Sequence, residues 1–225
     1  LGLFGGEAGV DDPAFAARIR ETWGMEARNA NYGVTDVRSN IAGQCEHEAD
    51  LHFMAPDVLH AELIDPDGGR VLPFETGRSG ELVLTHLERE CQPLVRFRTG
   101  DVIEVTATGR CACGRHTPRF RVKGRSDDMV VVRGINVFPT MVAAEINALE
   151  ALSGEYRIRL QGPGPYDRLP LEAELAAGVE PAAEIAATLE QAIKRSIGAT
   201  ASVTLLPNGT LPRTAGKSRR VIRED

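Results

Sequence analysis

The pattern of apolar residues changes once along this chain, at Gly124–Asp128, and the change limits what each side can fold into. From Asn29 to Val105 helical period is missing. Short strand-like runs stand there instead, at His60–Ile64, Glu81–Thr85, Leu94–Phe97 and Val102–Val105, with turn clusters such as Asp65-Pro66-Asp67-Gly68-Gly69 between them. One helix precedes them: Asp12 can cap it, Pro13 suits the first helical position, Phe15, Ile19 and Trp23 recur at fours, and Gly24 supplies a left-handed stop. Beyond Arg125 the spacing predicts a strand over Met129–Val132 and a helix from Pro139 carrying Val142, Ile146 and Leu149. Half-buried strands follow at Tyr156–Leu160 and Leu171–Leu175. The clearest helix opens at Pro181, with Ile185, Leu189, Ile193 and Ile197 at strict fours before Gly198, and a last strand covers Ser202–Leu205. This β-α-β-β-α-β order describes a small α+β domain. Residues 1–124 are therefore expected to form the β-rich end of a larger domain, and residues 125–225 a domain of their own.

Composition narrows the function classes. The chain is 42% hydrophobic and 26% charged, with a formal net charge of −6, the wrong sign for a general nucleic-acid binder. No apolar run approaches the ~20 residues a membrane span needs, and the first residues have neither a basic n-region nor a cleavage site. No membrane partner and a cytoplasmic setting are the expectation. The chain lacks an initiator Met and opens in a strand-like run, so a piece of a longer chain is expected.

Four segments carry chemistry. Asn31-Tyr32-Gly33-Val34-Thr35-Asp36 places an aromatic ring, a glycine, a hydroxyl and a carboxylate together. Arg98-Thr99-Gly100-Asp101 reads as a strand end, a turn and a carboxylate. Gly124-Arg125-Ser126-Asp127-Asp128-Met129 leads into Arg133-Gly134-Ile135-Asn136-Val137-Phe138-Pro139, and Gly216-Lys217-Ser218-Arg219-Arg220-Val221 sits in a polar tail beyond Gly209. Each alone has a bland reading: a loop with a core tyrosine, an ordinary turn, a solvated charged turn, a surface lysine. All four in this order and spacing are improbable by chance.

In that order, together with Gly5-Gly6-Glu7, the segments resemble the adenylate-forming superfamily of acyl-CoA synthetases, luciferases and adenylation domains. The detail is most similar to phenylacetate-CoA ligases. The resemblance implies the β-rich end of a large adenylate-forming domain of α/β type, followed by a small α+β lid. It also implies roles. Tyr32 would stack on adenine, and Gly5, Gly6 and Glu7, with Gly33 beside the ring, would form the loops around the base. Thr35 would bond the α-phosphate. Asp36 would hold Mg²⁺, where the family usually has the longer Glu, so a bridging water has room. Asp101 would accept from both ribose hydroxyls, and Arg125 would reach ribose or phosphate. Lys217 would meet the charge that develops as the carboxylate attacks the α-phosphorus of ATP. Asp127 would be the hinge about which the lid turns before CoA displaces AMP. The implied partners are ATP, CoA and a small carboxylic acid, aryl or arylacetic, with room for a homodimer. The family's phosphate loop and most of its acyl pocket lie upstream of the matching segments, so these 225 residues alone are expected to be inactive. The same motifs would suit an enzyme that loads a carrier protein or an amine, and a non-catalytic nucleotide-binding module is the third reading.

Cys45, His52, Cys111 and Cys113 make a candidate tetrahedral zinc set of three thiolates and one imidazole, with Cys-x-Cys-Gly suited to a tight knuckle. The alternative is free thiols in a reduced protein, with His52 in the core or at the surface. His47 and His116 are near enough in sequence to take the place of His52. Cys91 falls outside the pattern and is expected to be a buried, inert thiol.

Overall fold

The computed structural model describes residues 1–5, 13–164, 166–213 and 219–224, with backbone alone at 13–15. Pro13 opens α1 (Pro13–Trp23), and Gly24 at φ +63 closes it with its N–H on the Arg20 carbonyl. Ile19 of the expected stripe is buried, whereas Trp23 is exposed. Asp12 and the side chain of Phe15 lie outside the described residues. The helix connects β1 (Gly2–Gly5) to β2 (Ala27–Val34), which pair in parallel, as a strand–helix–strand crossover allows.

Short turns then add β3 (Arg38–Gly43), β4 (Leu51–Phe53), β5 (Leu59–Ile64), β6 (Val71–Leu72), β7 (Ser79–His86), β8 (Phe97–Ala107) and β9 (Arg119–Arg125). Together they form a nine-stranded sheet in the order β1-β2-β3-β4-β9-β8-β7-β5-β6, antiparallel after its first pair. Ile41, Leu51, Leu59, Leu82, Leu84, Ile103 and Phe120 share one core on this sheet. Each such side chain contributes roughly 1.5–3 kcal/mol by leaving water.

Two expectations are corrected here. Leu94–Phe97 and Val102–Val105 are not separate strands divided by a turn. Leu94 belongs to a loop, its N–H bonded to His86 Nδ1 at 3.0 Å, and Phe97–Ala107 is one strand that includes Arg98-Thr99-Gly100-Asp101. Cys91 is exposed on that loop, not buried.

The chain divides between Asp127 and Asp128 into two units, three residues later than the expected 124/125 boundary. The reason is pairing: Gly124 and Arg125 face Val102 and Asp101 in the ladder between β8 and β9, which keeps them with the first unit.

In the second unit β10 (Val130–Val132) forms a hairpin with β11 (Ile135–Val137) across Arg133-Gly134, a strand the periodicity does not announce. Then come α2 (Pro139–Asn147), β12 (Leu152–Gln161), β13 (Leu169–Leu175), α3 (Ala183–Ser196), β14 (Ala201–Leu206) and β15 (Val221–Glu224). The sheet order is β14-β13-β12-β15. The expected first strand is thus absent from this sheet, and a tail segment replaces it, with Val221 parallel to Ile158. Val142, Ile146, Leu189 and Ile193 on the helices meet Ile158, Leu160, Leu171 and Ala173 on the strands in one core. The i, i+4 spacing of the helical residues and the alternation of the strand residues bring them together.

Candidate functional site

Tyr32, Asp101 and Arg125, far apart in sequence, converge on the first unit. Tyr32 lies on β2, its ring edge-on to Phe120 of β9 with centroids 5.5 Å apart. Its hydroxyl donates to Asp101 Oδ2 at 2.7 Å. Burial first, and then the Asp101 carboxylate, push the phenol well above its usual range, so it stays a protonated donor. Arg125, at the end of β9, donates to Asp101 Oδ1 at 3.3 Å and to the Thr99 carbonyl at 3.3 Å. The same guanidinium forks onto Asp127, at 2.9 and 3.1 Å. An ionised carboxylate is an acceptor only, with about four lone-pair positions. Tyr32 and Arg125 hold one oxygen each, which fixes the plane of Asp101 and leaves acceptor capacity for a further pair of donors.

Local conformation sets this up. Asp101 stands on a bulge: Val83 pairs with Arg98 and Glu81 with Val102, so three residues of β8 face one of β7. Gly100 takes φ +75 there, and an added Cβ would lie 2.6 Å from the Arg125 guanidinium. Thr99 Oγ1 donates to the Leu82 carbonyl at 2.8 Å and accepts from the Asp101 N–H at 3.0 Å. Gly33 answers a different need, since a Cβ there would lie 2.0 Å from the Ser39 carbonyl of β3.

The other described site residues sit on β1 and on the turn between β2 and β3. Gly5 ends β1 against Asn31. Thr35 and Asp36 occupy the exposed turn between β2 and β3. Thr35 lines a shallow cleft of about 360 Å³ with Arg38, His86 and Arg89, and Arg89 donates to the Asp36 carbonyl at 3.2 Å. Gly6, Glu7 and Lys217 lie outside the described residues.

Cys45, His52, Cys111 and Cys113 come together at the end of the sheet where β3, β4 and the β8–β9 connection meet. All four candidate ligand atoms lie within 4.8 Å of one another. Cys45 Sγ is 3.8 Å from Cys111 Sγ, and Cys113 Sγ is 3.8 Å from His52 Nε2. A tetrahedron with Zn–S bonds near ~2.3 Å has edges of about 3.8 Å. The imidazole of His52 is buried with Nδ1 unpartnered and Nε2 turned to sulfur, an arrangement poor for packing and suited to a ligand. Burial first, then Arg115 and Arg119, lower its pKa and favour the neutral, ligating form. The backbone N–H of Arg115 and then its guanidinium bring Cys113 down to about 7, while burial raises Cys45. His47 and His116 are exposed, and His47 faces Glu46. Among the three histidines, His52 completes the set.

Sequence reasoning gives Glu81 no role, and it places Arg98 and Thr99 in a segment that carries chemistry without assigning either one a part. Glu81 starts a strand-like run, and a charge at the head of an apolar strand was the signal available.

The chain is similar to known proteins. Residues 134–224 match the family described as AMP-binding enzyme C-terminal domain. Over 230 residues the chain is 34% identical to a phenylacetate-coenzyme A ligase of Pseudomonas putida, which covers 98% of this chain and 50% of that protein. A phenylacetate-coenzyme A ligase of Thermus thermophilus is 32% identical, covering 93% of this chain and 51% of its own length. The crystal structure of 2-hydroxyisobutyryl-CoA ligase in the postadenylation state with 2-HIB-AMP superposes with a TM-score of 0.84 at 30% identity, over 99% of this chain and 48% of that one. The chain spans about half the length of the relatives it matches. Residues 134–224 thus carry the AMP-binding enzyme C-terminal domain pattern, and throughout its length the chain is similar to about half the length of the phenylacetate-CoA ligases it matches.

Proposed function

We propose that this chain is the carboxy-terminal half of a ligase that activates an aryl or arylacetic acid, such as phenylacetate, with ATP and transfers the acyl group to CoA. The observation that carries the proposal is the Tyr32–Asp101–Arg125 cluster, whose fixed carboxylate has spare acceptor capacity. In this reading the first unit is the end of the nucleotide-binding domain and the second is the lid. Asp101 accepts from the two ribose hydroxyls, and Arg125 lies beside ribose or phosphate. Tyr32 covers the base together with Gly5, Gly6, Glu7 and Gly33. Thr35 bonds the α-phosphate. Asp36, exposed in its turn, would hold Mg²⁺, which supplies charge neutralisation for the phosphates. Lys217 stabilises the charge of adenylation, and Asp127 is the hinge. The four Cys and His ligands would hold a structural Zn²⁺, since a closed tetrahedral set leaves no position for substrate.

The 2-hydroxyisobutyryl-CoA ligase structure with its acyl-AMP supports the two-step chemistry by analogy. The test is acid-dependent exchange of pyrophosphate into ATP by the full-length protein, followed by CoA-dependent release of AMP. Exchange with an arylacetic acid in the absence of CoA, and thioester formation on its addition, is the expected result. Exchange without any CoA thioester would instead support carrier-protein or amine loading. Nucleotide binding without exchange for any acid would leave a non-catalytic nucleotide-binding module.

A further inference from the structure

Beneath the Asp101 bulge lies a carboxylate that none of the roles above uses. Glu81, on β7, is 1% exposed. It points to the face opposite Leu82 and Leu84, both of which belong to the core. Arg98 closes over it with a fork, Nε to Oε1 and Oε2 at 3.1 and 3.2 Å and a second nitrogen to Oε2 at 2.5 Å. The same arginine donates to the Pro66 carbonyl at 2.9 Å. Glu81 Oε1 also accepts the Gly100 N–H at 3.1 Å. That contact matters because a bulge residue loses its ladder partner, and a buried N–H without one costs about 1–3 kcal/mol. Here the lost partner is replaced by a charge.

Two layers are thus stacked. Below, Glu81 holds Arg98 by its side chain and Gly100 by its backbone N–H. Above, Tyr32 and Arg125 hold the Asp101 carboxylate itself. We infer that Glu81 is a positioning residue for the ribose, acting through the Gly100 N–H and Arg98 to fix the bulge that presents Asp101. This inference rests on the reading of Asp101 as the ribose acceptor. Glu81 is buried beneath the strand, so it would act on the nucleotide only through these neighbours.

The test compares ATP with 2′,3′-dideoxy-ATP in the full-length ligase, with acid-dependent pyrophosphate release as the readout. The wild type should favour ATP through KM, and Asp101→Asn should abolish that preference. Glu81→Gln removes the charge while keeping an acceptor for Gly100. It should raise KM for ATP about tenfold with kcat within about twofold, and leave KM for the dideoxy analogue unchanged. A variant damaged only in stability would melt earlier yet keep the wild-type preference between the two nucleotides. If Glu81→Gln does not fold, Arg98→Ala removes the same fork from its half-exposed end, with an expected rise in KM for ATP of about threefold. No preference for ATP in the wild type would overturn the ribose reading and the inference together. A preference lost in Asp101→Asn but intact in Glu81→Gln, or in Arg98→Ala where that variant stands in, would overturn the inference alone.

Discussion

The first unit holds two polar clusters assembled from distant parts of the chain, and they differ in how complete they are. The Cys45–His52–Cys111–Cys113 set is closed: four ligand atoms lie within 4.8 Å of one another, two pairs of them 3.8 Å apart, and the imidazole is buried. The Tyr32–Asp101–Arg125 set is open: each protein donor takes one carboxylate oxygen, and acceptor capacity remains. A closed set needs only an ion and has no place for a substrate, so in the proposed reading it would serve the fold. An open set held rigid on three elements is what a ligand requires. Loss of the first should therefore be felt in stability, and loss of the second in nucleotide affinity.

The largest effect should come from the closed cluster. Replacing Cys111 and Cys113 together by Ser should reduce zinc from about one equivalent to none by elemental analysis. The midpoint of thermal unfolding should fall steeply, since structural zinc can contribute ~10 kcal/mol or more of apparent binding energy. A double variant that still holds one equivalent and melts as the wild type does would break the comparison on its closed side.

Next in size is the open cluster. Asp101→Ala should raise KM for ATP about 100-fold in the full-length protein, as the proposed loss of charged hydrogen bonds to two hydroxyls implies, with zinc content unchanged. If ATP affinity held while zinc was lost, the two roles would be the wrong way round.

The second unit provides a reference, because it contains neither cluster yet buries a carboxylate of its own. Glu174 on β13 is fully buried. Burial alone would raise its pKa, but Arg213, the N–H groups of Leu211 and Gly209 and the Ser153 hydroxyl together hold it down to about 2, against 4.5 ordinarily. A depressed carboxylate pKa stabilises the fold above the unfolded value and loses that contribution as pH falls through the folded one. Glu174→Gln should therefore cost on the order of 2 kcal/mol at pH 7, discounted for the half-exposed Arg213 partner. The gap from the wild type should begin to narrow below about pH 4.5 and nearly close by pH 2 in denaturant titrations. A gap independent of pH would mean that packing, and not charge, is what Glu174 supplies.

The smallest effect belongs to Cys91. It is exposed and outside the closed set, so Cys91→Ser should leave zinc unchanged and stability within about 0.5 kcal/mol.

The elements legible in the sequence are those whose burial follows a simple period. The spacing of Ile185, Leu189 and Ile193 announces α3, and Leu171, Ala173 and Leu175 announce β13. What escaped depends on partners far away in the chain. Val221–Glu224 has two apolar residues among charges and becomes a strand because β12 offers a parallel edge. Ile135–Val137 is a strand only as the return of a hairpin. Arg98–Asp101 has the composition of a turn, yet pairing on both sides makes it a bulge inside a long strand. The Cys-His set was visible through spacing, but the choice of His52 over His47 and His116 needed β4 to carry it inward. Glu81 was hidden because a buried charge is identified by its partners, and Arg98 lies 17 residues away.

The most direct measurement of the central claim separates the two proposed half-reactions of the full-length protein in two variants. Lys217→Ala should slow acid-dependent pyrophosphate release about 10²- to 10³-fold while leaving thiolysis of supplied acyl-adenylate within about threefold, because in the proposed reading its charge matters only as the carboxylate attacks phosphorus. Asp127→Pro should do the reverse, because fixing φ near about −65° obstructs the rotation that the second step needs. Opposite losses in the two variants are the predicted result. If Lys217→Ala and Asp127→Pro each slowed both steps alike, the two-step reading of this chain would be contradicted.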